Sequence, residues 1–112
     1  DDLDLAEVYA PCTIVEVLVA EALGLCPVGQ GARQAASGDT SIGGRIPICT
    51  SGGLLSRGHP AYVTALYSYF EVLEQLRGRG AERQVTDAEL GLVCTELGNY
   101  NAAMVHILEA VA

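Results

Sequence analysis

The segment from Thr50 to Pro60, TSGGLLSRGHP, holds a histidine in a setting that could support chemistry. It places three glycines around His59 within eleven residues. An imidazole can donate or accept a proton near neutral pH, and glycine lets a backbone pass close to a ligand. The segment is therefore interpreted either as an ordinary strand-to-helix turn or as a loop that holds His59 at a reaction centre.

Cys94 and Tyr9 are further residues whose side chains can carry chemistry. A cysteine in a strand is usually a small buried hydrophobe, yet its thiol can also act as an acid or base. Tyr9 stands at the end of a predicted strand, where a tyrosine usually packs, yet its hydroxyl can donate and accept hydrogen bonds. His106 lies in an apolar run and is interpreted as structural. No Ser-His-Asp order and no pair of carboxylates stands out.

Composition limits the classes of function. The length of 112 residues favours one domain, and an apolar content of 50% argues against disorder. The net charge of -8, with six arginines and no lysine, argues against a nucleic-acid partner, which needs clustered positive charge. No apolar run reaches the roughly 18 residues that span a bilayer, so no membrane span is expected.

The start of the chain and its cysteines indicate where the protein resides. The chain starts at Asp1, and DDLDLAEVYA lacks the basic start and the apolar middle of a signal peptide, so we expect a processed or truncated piece of a cytoplasmic protein. Four cysteines, at positions 12, 26, 49 and 94, have wide spacings and no C-x-x-C motif, which favours free thiols in a reducing compartment. Neither histidine stands at ligand spacing from a cysteine pair, so no metal site is expected.

The elements that must position the chemical residues follow from apolar periodicity. LDLAEVYA is predicted as a strand, and TIVEVLVAEALGL as a mostly buried helix that ends near Gly24. Thr13 is the predicted N-cap, with Glu16 as its capping-box partner. Residues 27–44 have no period and are predicted as a long loop, of the kind that is usually functional or mobile.

The middle of the chain is predicted to contain a short strand and a long helix. RIPICT is the strand candidate, and Pro47 confines it to an edge or a bulge. AYVTALYSYFEVLEQLRGRG is predicted as an amphipathic helix that ends at Gly78, with Tyr62, Tyr67 and Tyr69 as packing residues. Its apolar positions are 62, 63, 66, 69, 70, 73 and 76.

The last part of the chain is predicted as a hairpin. Two runs of β-forming residues, 90–95 and 102–111, flank a turn predicted at Gly98 and Asn99. The complete order is strand, helix, strand, helix, strand, strand. This alternation, βαβαββ, predicts an α/β fold with a mixed sheet.

Three blocks, in order along the chain, carry a resemblance to a known family. The first is DLAEVYAPCTI, the second and most specific is TSGGLLSRGHP, and the third is CTELGNYNAAMVHILE. Over residues 3–111 the chain resembles the C-terminal half of the thiolase superfamily, especially the branch of sterol-carrier-protein-type thiolases and thiolase-like aldolases. The resemblance implies that residues 1–112 form a thiolase-like C-terminal domain whose N-terminal half is absent.

The resemblance also implies roles for the residues singled out above. His59 would donate a hydrogen bond to a thioester or keto oxygen as negative charge develops there. Cys94 would protonate or deprotonate the substrate α-carbon or the leaving thiol, and Tyr9 would act as a supporting proton donor. The floor of the substrate pocket would be shaped by Gly52, Gly53 and Gly58. Coenzyme A would enter as part of an acyl-CoA substrate, with no separate cofactor.

Two departures from the family pattern favour a specialised member. Tyr9 is followed by Ala10 and Pro11, where thiolases have an asparagine, or a histidine or tyrosine followed by aspartate. Glu96 stands where the family has an oxyanion-binding glycine, although the backbone N–H of Glu96 could serve the same purpose. These changes favour a thiolase-like aldolase, or an acyltransferase that works with a small acyl-CoA-binding accessory protein.

The resemblance further implies partners and a reaction. The acylated cysteine of the family lies in the N-terminal half, so we expect this chain to be inactive alone and to need that half, in a homo-oligomer. We expect the C-terminal part of an acyl-CoA enzyme that makes or breaks a carbon–carbon bond, in lipid or steroid side-chain metabolism. The alternatives are a retro-aldol lyase on a β-hydroxyacyl-CoA, in which Tyr9 and His59 transfer protons, and a non-catalytic subunit.

Overall fold

A mixed sheet forms the centre of the chain, which a computed structural model describes at residues 2–97 and 101–111. Strand β1 (Leu5–Val8) runs parallel to β2 (Leu90–Leu97), and β2 pairs antiparallel with β3 (Ala102–Glu109). The predicted α/β fold with a mixed sheet is thereby confirmed. The predicted hairpin turn lies outside the described residues.

The predicted strand RIPICT is present only as a single pairing at the outer edge of β1. Ile48 forms an isolated parallel bridge with Ala6. The Ala6 N–H donates to the Pro47 carbonyl, and the Ala6 carbonyl accepts from the Cys49 N–H. Proline has no N–H for a longer ladder, and Cys49 leaves the extended region with a φ of 55°. The edge position is therefore confirmed, whereas a full strand is not.

Alternating side chains divide the sheet into two buried faces. Helix α1 (Thr13–Ala22) covers one of them, called the α1 face here, which includes Cys94. Helix α4 (Thr64–Leu76) covers the other, called the α4 face, which includes Leu5 and Val93. Tyr9 comes directly after β1 and is four positions beyond Leu5. Because alternate residues lie on the same side of a strand, Tyr9 belongs to the α4 face. The sheet thus separates two of the residues that the sequence pointed to.

The first turn of α1 corrects the predicted capping box. The N-cap is Cys12 rather than Thr13, and its side chain makes no capping hydrogen bond. Glu16 is partly buried instead, and this burial raises the pKa of its carboxyl. The predicted end is confirmed, since α1 stops before Gly24, which adopts a φ of 73°.

A second correction concerns residues 27–44, which contain helix α2 (Gly31–Ser37). A tertiary contact supports its start, where the Gly31 N–H donates to Glu21 Oε1 at 2.9 Å. Its end is set by Gly38, which has a φ of 90°. The seven residues of α2 are too few to display a helical period, so the sequence pattern could not reveal this helix.

Helix α4 forms as predicted, after one 3-10 turn at Ala61–Val63, but its apolar stripe faces outward. Tyr62 is 103% exposed and Leu66 is 66% exposed, whereas Tyr69 packs against the core. The buried side of the helix is mostly polar and carries Thr64, Ser68, Glu71, Val72 and Gln75. The prediction that Tyr62 and Tyr67 are packing residues is therefore wrong. The physical reason is that the sheet presents a buried carboxylate to this helix, as described below.

Gly91, in β2, is expected to tolerate no side chain. A Cβ there would stand 2.5 Å from Val72 Cγ1 and 3.3 Å from Leu5 Cδ2, and both residues are fully buried. Gly91→Ala is therefore expected to lower the free energy of unfolding by about 1–3 kcal/mol, measured by urea denaturation. As a control, Gly91→Ala is also made in a Val72→Ala protein, in which the clashing Cγ1 atom is absent. If Gly91→Ala lowers the free energy of unfolding equally in the wild type and in Val72→Ala, the clash is contradicted.

Candidate active site

Tyr9 and His59, two of the residues predicted to be catalytic, are in direct contact. The Tyr9 hydroxyl lies 2.9 Å from His59 Nε2, and the ring centroids are 5.6 Å apart at an interplanar angle of 74°. Tyr9 directly follows β1, and His59 lies near the end of residues 50–60, the segment called the glycine loop here. The fold therefore joins two residues that are 50 positions apart in the sequence.

A hydrogen bond at the other ring nitrogen assigns the tautomer of His59. The Ala61 N–H donates to Nδ1 at 3.3 Å, so Nε2 carries the hydrogen in the neutral ring. Nε2–H then donates to the Tyr9 oxygen, and the phenol hydrogen is left for another partner. Desolvation raises the pKa of the Tyr9 phenol, and the charge of Glu96 adds to the effect. Tyr9 is consequently a protonated acid at neutral pH.

The glycine loop needs its small residues for backbone reasons. Gly52, Gly53 and Gly58 have φ values of 87°, 57° and 108°, a region that glycine adopts at little cost. Gly53 also opens the short helix α3 (Gly53–Ser56), and a Cβ on it would approach the Cys49 Cβ to 3.2 Å. These glycines bend the chain, and their role in substrate binding stays a prediction.

An open cavity of about 500 Å³ is lined by Tyr9 and His59. Its walls come from the end of the glycine loop, α4 and the strands β2 and β3, and contain Ala61, Tyr62, Thr64, Ala65, Ser68, Thr95, Glu96 and Met104. The volume falls in the range of about 300–1,000 Å³ that is typical of small-molecule sites. The cavity can therefore hold a substrate group against the Tyr9–His59 pair.

Cys94, the third predicted catalytic residue, lies outside that cavity on the α1 face. It is 7% exposed and packs in the cluster beneath α1. It lines a separate cavity of about 380 Å³ that also borders Tyr9, whose N–H donates to the Cys94 carbonyl at 2.9 Å. Burial raises the pKa of the Cys94 thiol, which disfavours the reactive thiolate. The structure thus keeps Cys94 close to Tyr9 but away from the cavity of His59.

A fully buried carboxylate, Glu7, is a functional candidate that the sequence analysis missed. It accepts hydrogen bonds from the Ser51 N–H at 3.0 Å and from the Ser51 hydroxyl at 2.9 Å. Burial raises the pKa of Glu7, and the bonds from Ser51 oppose this shift. One pattern could have revealed it: a charged residue in an apolar strand, two positions before Tyr9 and therefore on the same face of the sheet.

Glu7 belongs to a buried polar network between β1 and α4. The Thr50 hydroxyl lies 3.0 Å from Glu71 Oε1 and 3.4 Å from Glu7 Oε1. Arg83 pairs with Glu71 at 2.9 Å, and Gln75 donates to the same carboxylate at 3.0 Å. Burial opposes the ionisation of Glu71, yet hydrogen bonds from these partners lower its pKa. The polar side of α4 is buried because it completes this network.

Arg57 is a second residue that the sequence analysis did not single out. Its three guanidinium nitrogens are buried and have no hydrogen-bond partner among the residues that the structure describes. The guanidinium carbon lies 5.0 Å from the centre of the Tyr67 ring, in a cation–π contact. Arg57 also lines a groove of about 310 Å³ together with His59. The site therefore has a permanent positive charge beside the candidate catalytic histidine.

His106 forms a second tyrosine–histidine pair, away from the cavity of Tyr9 and His59. The Tyr69 hydroxyl contacts His106 Nδ1, and the ring centroids are 5.6 Å apart. The pair connects α4 to β3. This position agrees with the structural interpretation of His106.

Three further findings concern the cysteines, the metal-ligating side chains and the helices. All four cysteines are free thiols, as predicted from their spacing. Across residues 2–97 and 101–111, no group of His, Cys, Asp and Glu side chains is arranged to hold a metal ion. In the same part of the chain, no helix combines the length and the apolar character that crossing a membrane requires.

Comparisons with known proteins match nearly the whole chain. The family model described as "Thiolase C-terminal domain-like" matches residues 1–110. The acetyl-CoA acetyltransferase of Methanothermobacter thermautotrophicus is 42% identical over 106 residues, which cover 95% of this chain and 28% of that protein. Sterol carrier protein 2 from Homo sapiens is 45% identical over 92 residues, which cover 82% of this chain and 17% of that protein.

A thiolase subunit and a solved structure are also similar to the chain. The benzoylsuccinyl-CoA thiolase subunit BbsB of Thauera aromatica is 33% identical over 85 residues, which cover 76% of this chain and 22% of that subunit. The solved structure of an Ltp2-ChsH2(DUF35) aldolase has a TM-score of 0.79 and 29% identity, over 97% of this chain and 27% of that one. The chain thus spans at most 28% of the length of any protein named here.

Proposed function

The chain belongs to the thiolase C-terminal domain-like family, and from this premise we propose that it is the C-terminal part of an acyl-CoA enzyme. The proposed reaction makes or breaks a carbon–carbon bond next to the thioester carbonyl. The observation that carries the proposal is the hydrogen-bonded Tyr9–His59 pair on the wall of a cavity of about 500 Å³. Similarity to an acetyltransferase, a thiolase subunit and an aldolase supports this class of chemistry.

Within this class we favour retro-aldol cleavage of a β-hydroxyacyl-CoA. The Tyr9 oxygen takes the proton of the β-hydroxyl as the bond between Cα and Cβ breaks, and the phenol gives its own hydrogen to the α-carbon, so Tyr9 ends protonated as it began. The electron pair of the broken bond passes through an enolate on the thioester oxygen to the new C–H bond, while His59 Nε2–H donates to the Tyr9 oxygen throughout. The products are a carbonyl compound and a shorter acyl-CoA, so the reaction needs no oxidant or reductant.

The electrostatics of the site support this assignment. The Tyr9 hydroxyl, whose oxygen accepts from His59 Nε2–H, is a hydrogen-bond donor next to the cavity, where an enolate oxygen would develop charge. The guanidinium of Arg57 adds positive charge on the side of the groove that it shares with His59. In contrast, burial raises the pKa of the Cys94 thiol, which argues against this residue as the proton carrier.

Thiolase chemistry with Cys94 as the acid–base group is the second candidate. It is favoured by the hydrogen bond between the Tyr9 N–H and the Cys94 carbonyl, and by the cavity of about 380 Å³ that both residues line. A third candidate is a non-catalytic subunit that completes the fold of a partner, which the exposed apolar side of α4 would serve. The variants described here and in the Discussion distinguish all three.

The proposal includes partners for the complete enzyme. A thiolase N-terminal half would cover the exposed apolar side of α4, and under the thiolase candidate it would also supply the acylated cysteine. A homo-oligomer is also proposed, as is a small acyl-CoA-binding accessory protein, for which the similarity to an Ltp2-ChsH2(DUF35) aldolase is the support. The proposed substrates are CoA thioesters of lipid or steroid side chains, with coenzyme A as part of the substrate, in the cytoplasm.

Cys94→Ala separates the two enzymatic candidates. In the complete enzyme, retro-aldol turnover of a β-hydroxyacyl-CoA is expected to stay within about threefold of the wild type, since Cys94 then carries no proton transfer. The products are followed by chromatography of the CoA esters. Cys26→Ala is the matched control, because Cys26 is also 7% exposed in the same cluster. A loss of roughly 10²-fold in Cys94→Ala alone would assign the acid–base role to Cys94.

A further inference from the structure

One face of β1 holds both ends of the loop that carries the candidate catalytic histidine. At one end, Glu7 accepts the Ser51 N–H on Oε1 and the Ser51 hydroxyl on Oε2. At the other end, Tyr9 is hydrogen-bonded to His59. Glu7 and Tyr9 are two positions apart and lie on the α4 face. The segment from Ser51 to His59 is thus attached at its start to β1 and at its end to the residue that directly follows β1.

The segment between these attachments is internally hydrogen-bonded and can transmit the position of its first residue. The Ser51 hydroxyl oxygen accepts the Gly53 N–H at 3.2 Å. The Arg57 N–H donates to the Gly53 carbonyl at 2.9 Å, which closes the turn of α3. Gly58 alone separates Arg57 from His59. A displacement of Ser51 would therefore change the position of His59 relative to Tyr9.

A carboxylate is an unusual residue for a fully buried strand position, because its burial is costly. Burial is the main cause of the raised pKa of Glu7, while Glu71 adds to the shift and Arg57 opposes it. The two hydrogen bonds that Ser51 donates explain why a carboxylate occupies this buried position. An apolar side chain of the same size would fill the space but would accept neither hydrogen bond.

We propose that Glu7 is a positioning residue, which sets the geometry of the Tyr9–His59 pair by holding the start of the glycine loop on the strand that leads to Tyr9. Glu7 is not part of the lining of the cavity that Tyr9 and His59 share, so it acts through the loop and not on substrate. Its effect on turnover rests on the proposed function. Its effect on the His59 ring rests on the hydrogen bonds alone.

The test compares three variants of the complete enzyme: Glu7→Leu, Glu7→Gln and Thr50→Val. Glu7→Leu removes both acceptors, and Glu7→Gln keeps the shape and one acceptor. Thr50→Val is the matched control, because it removes a neighbouring hydroxyl of the buried network and leaves both Ser51 bonds in place. The first readout is nitrogen NMR of the His59 ring, whose resonances are assigned as those that disappear in His59→Ala. The second readout is kcat and KM with a β-hydroxyacyl-CoA.

Glu7→Leu is expected to lower kcat about 10²-fold with KM nearly unchanged, since a misplacement of about 1 Å can have this effect. The His59 resonances should lose the signature of the bond to Tyr9. Glu7→Gln is expected to retain most of kcat, and Thr50→Val to match the wild type in both readouts. If Glu7→Leu does not fold, Ser51→Ala is the substitute, because it removes the hydroxyl that bonds to Glu7 and Gly53 but keeps the bond from the Ser51 N–H to Glu7. It is expected to show the same changes to a smaller degree.

Two results would overturn the positioning role. One is a folded Glu7→Leu with unchanged His59 resonances and unchanged kcat. The other is an equal loss in all three variants, which would mean that the buried network has a general structural role. Absence of carbon–carbon bond cleavage in the wild-type enzyme would refute the proposed function instead, and the His59 resonances would still decide whether Glu7 positions the loop.

Discussion

His59→Ala is expected to lower kcat of the complete enzyme about 10²–10³-fold. In the wild type, Nε2–H of His59 donates to the Tyr9 oxygen and stabilises the charge that appears there when Tyr9 gives up its proton. Alanine leaves that charge without its donor. The loss is measured as steady-state kcat with a β-hydroxyacyl-CoA. KM is expected to change less, because the lost interaction is strongest in the transition state.

The matched control for this variant is His106→Ala. His106 forms a second tyrosine–histidine pair, with Tyr69, and is not part of the lining of the cavity of about 500 Å³. We expect His106→Ala to lower the thermal stability and to keep kcat close to the wild-type value. If His59→Ala turned over as fast as the wild type, the chain would be a non-catalytic subunit that completes the fold of its partner.

Tyr9→Phe is expected to lower kcat about 10²–10⁴-fold, because the variant keeps the ring beside His59 but loses the proton-transferring hydroxyl. Desolvation raises the pKa of Tyr9 above the ordinary tyrosine value of about 10. The acid form of the phenol therefore persists through neutral pH, and wild-type activity falls only as the pH rises through this raised pKa. A pH–rate profile should show that the alkaline limb is absent in Tyr9→Phe.

Tyr69→Phe is the matched control for Tyr9→Phe, since it removes a hydroxyl that also contacts a histidine but lies outside the cavity. Its kcat and its alkaline limb should both match the wild type. The double variant Tyr9→Phe/His59→Ala should lose little more than the more damaged single variant, because the two residues act as one unit. Full activity in Tyr9→Phe together with a loss in Cys94→Ala would favour thiolase chemistry instead.

Sequence patterns were sufficient for features that depend on neighbours along the chain. Helices α1 and α4 were predicted near their observed positions, since an apolar period and a terminal glycine are local properties. Gly24 and Gly78 both adopt positive φ values, of 73° and 66°, just after the helices that they were predicted to end. The mixed sheet followed from the order of these elements.

Patterns failed where a contact from elsewhere in the chain overrides the local preference. At the start of helix α2 the Gly31 N–H donates a hydrogen bond to Glu21, and no periodicity within residues 27–44 can reveal this contact. The apolar stripe of α4 was expected to face the core, but its polar side is buried because it contacts the network of Glu7. The charge of Glu7 within an apolar strand is visible in the sequence, but its role is not, because its partner Ser51 is 44 positions away.

By itself, the sequence determined the family, the α/β architecture and the types of residue that could do chemistry. Only the tertiary structure decided which of those residues meet: Tyr9 joins His59 on the α4 face, and Cys94 lies on the α1 face. The physical reason is that successive residues of a strand point to opposite faces of the sheet, so the position of a residue in its strand decides its face. The pairing register and the helix packed on that face then decide which other side chains it meets. Those relations exist only between segments that are distant in sequence, so no local pattern contains them.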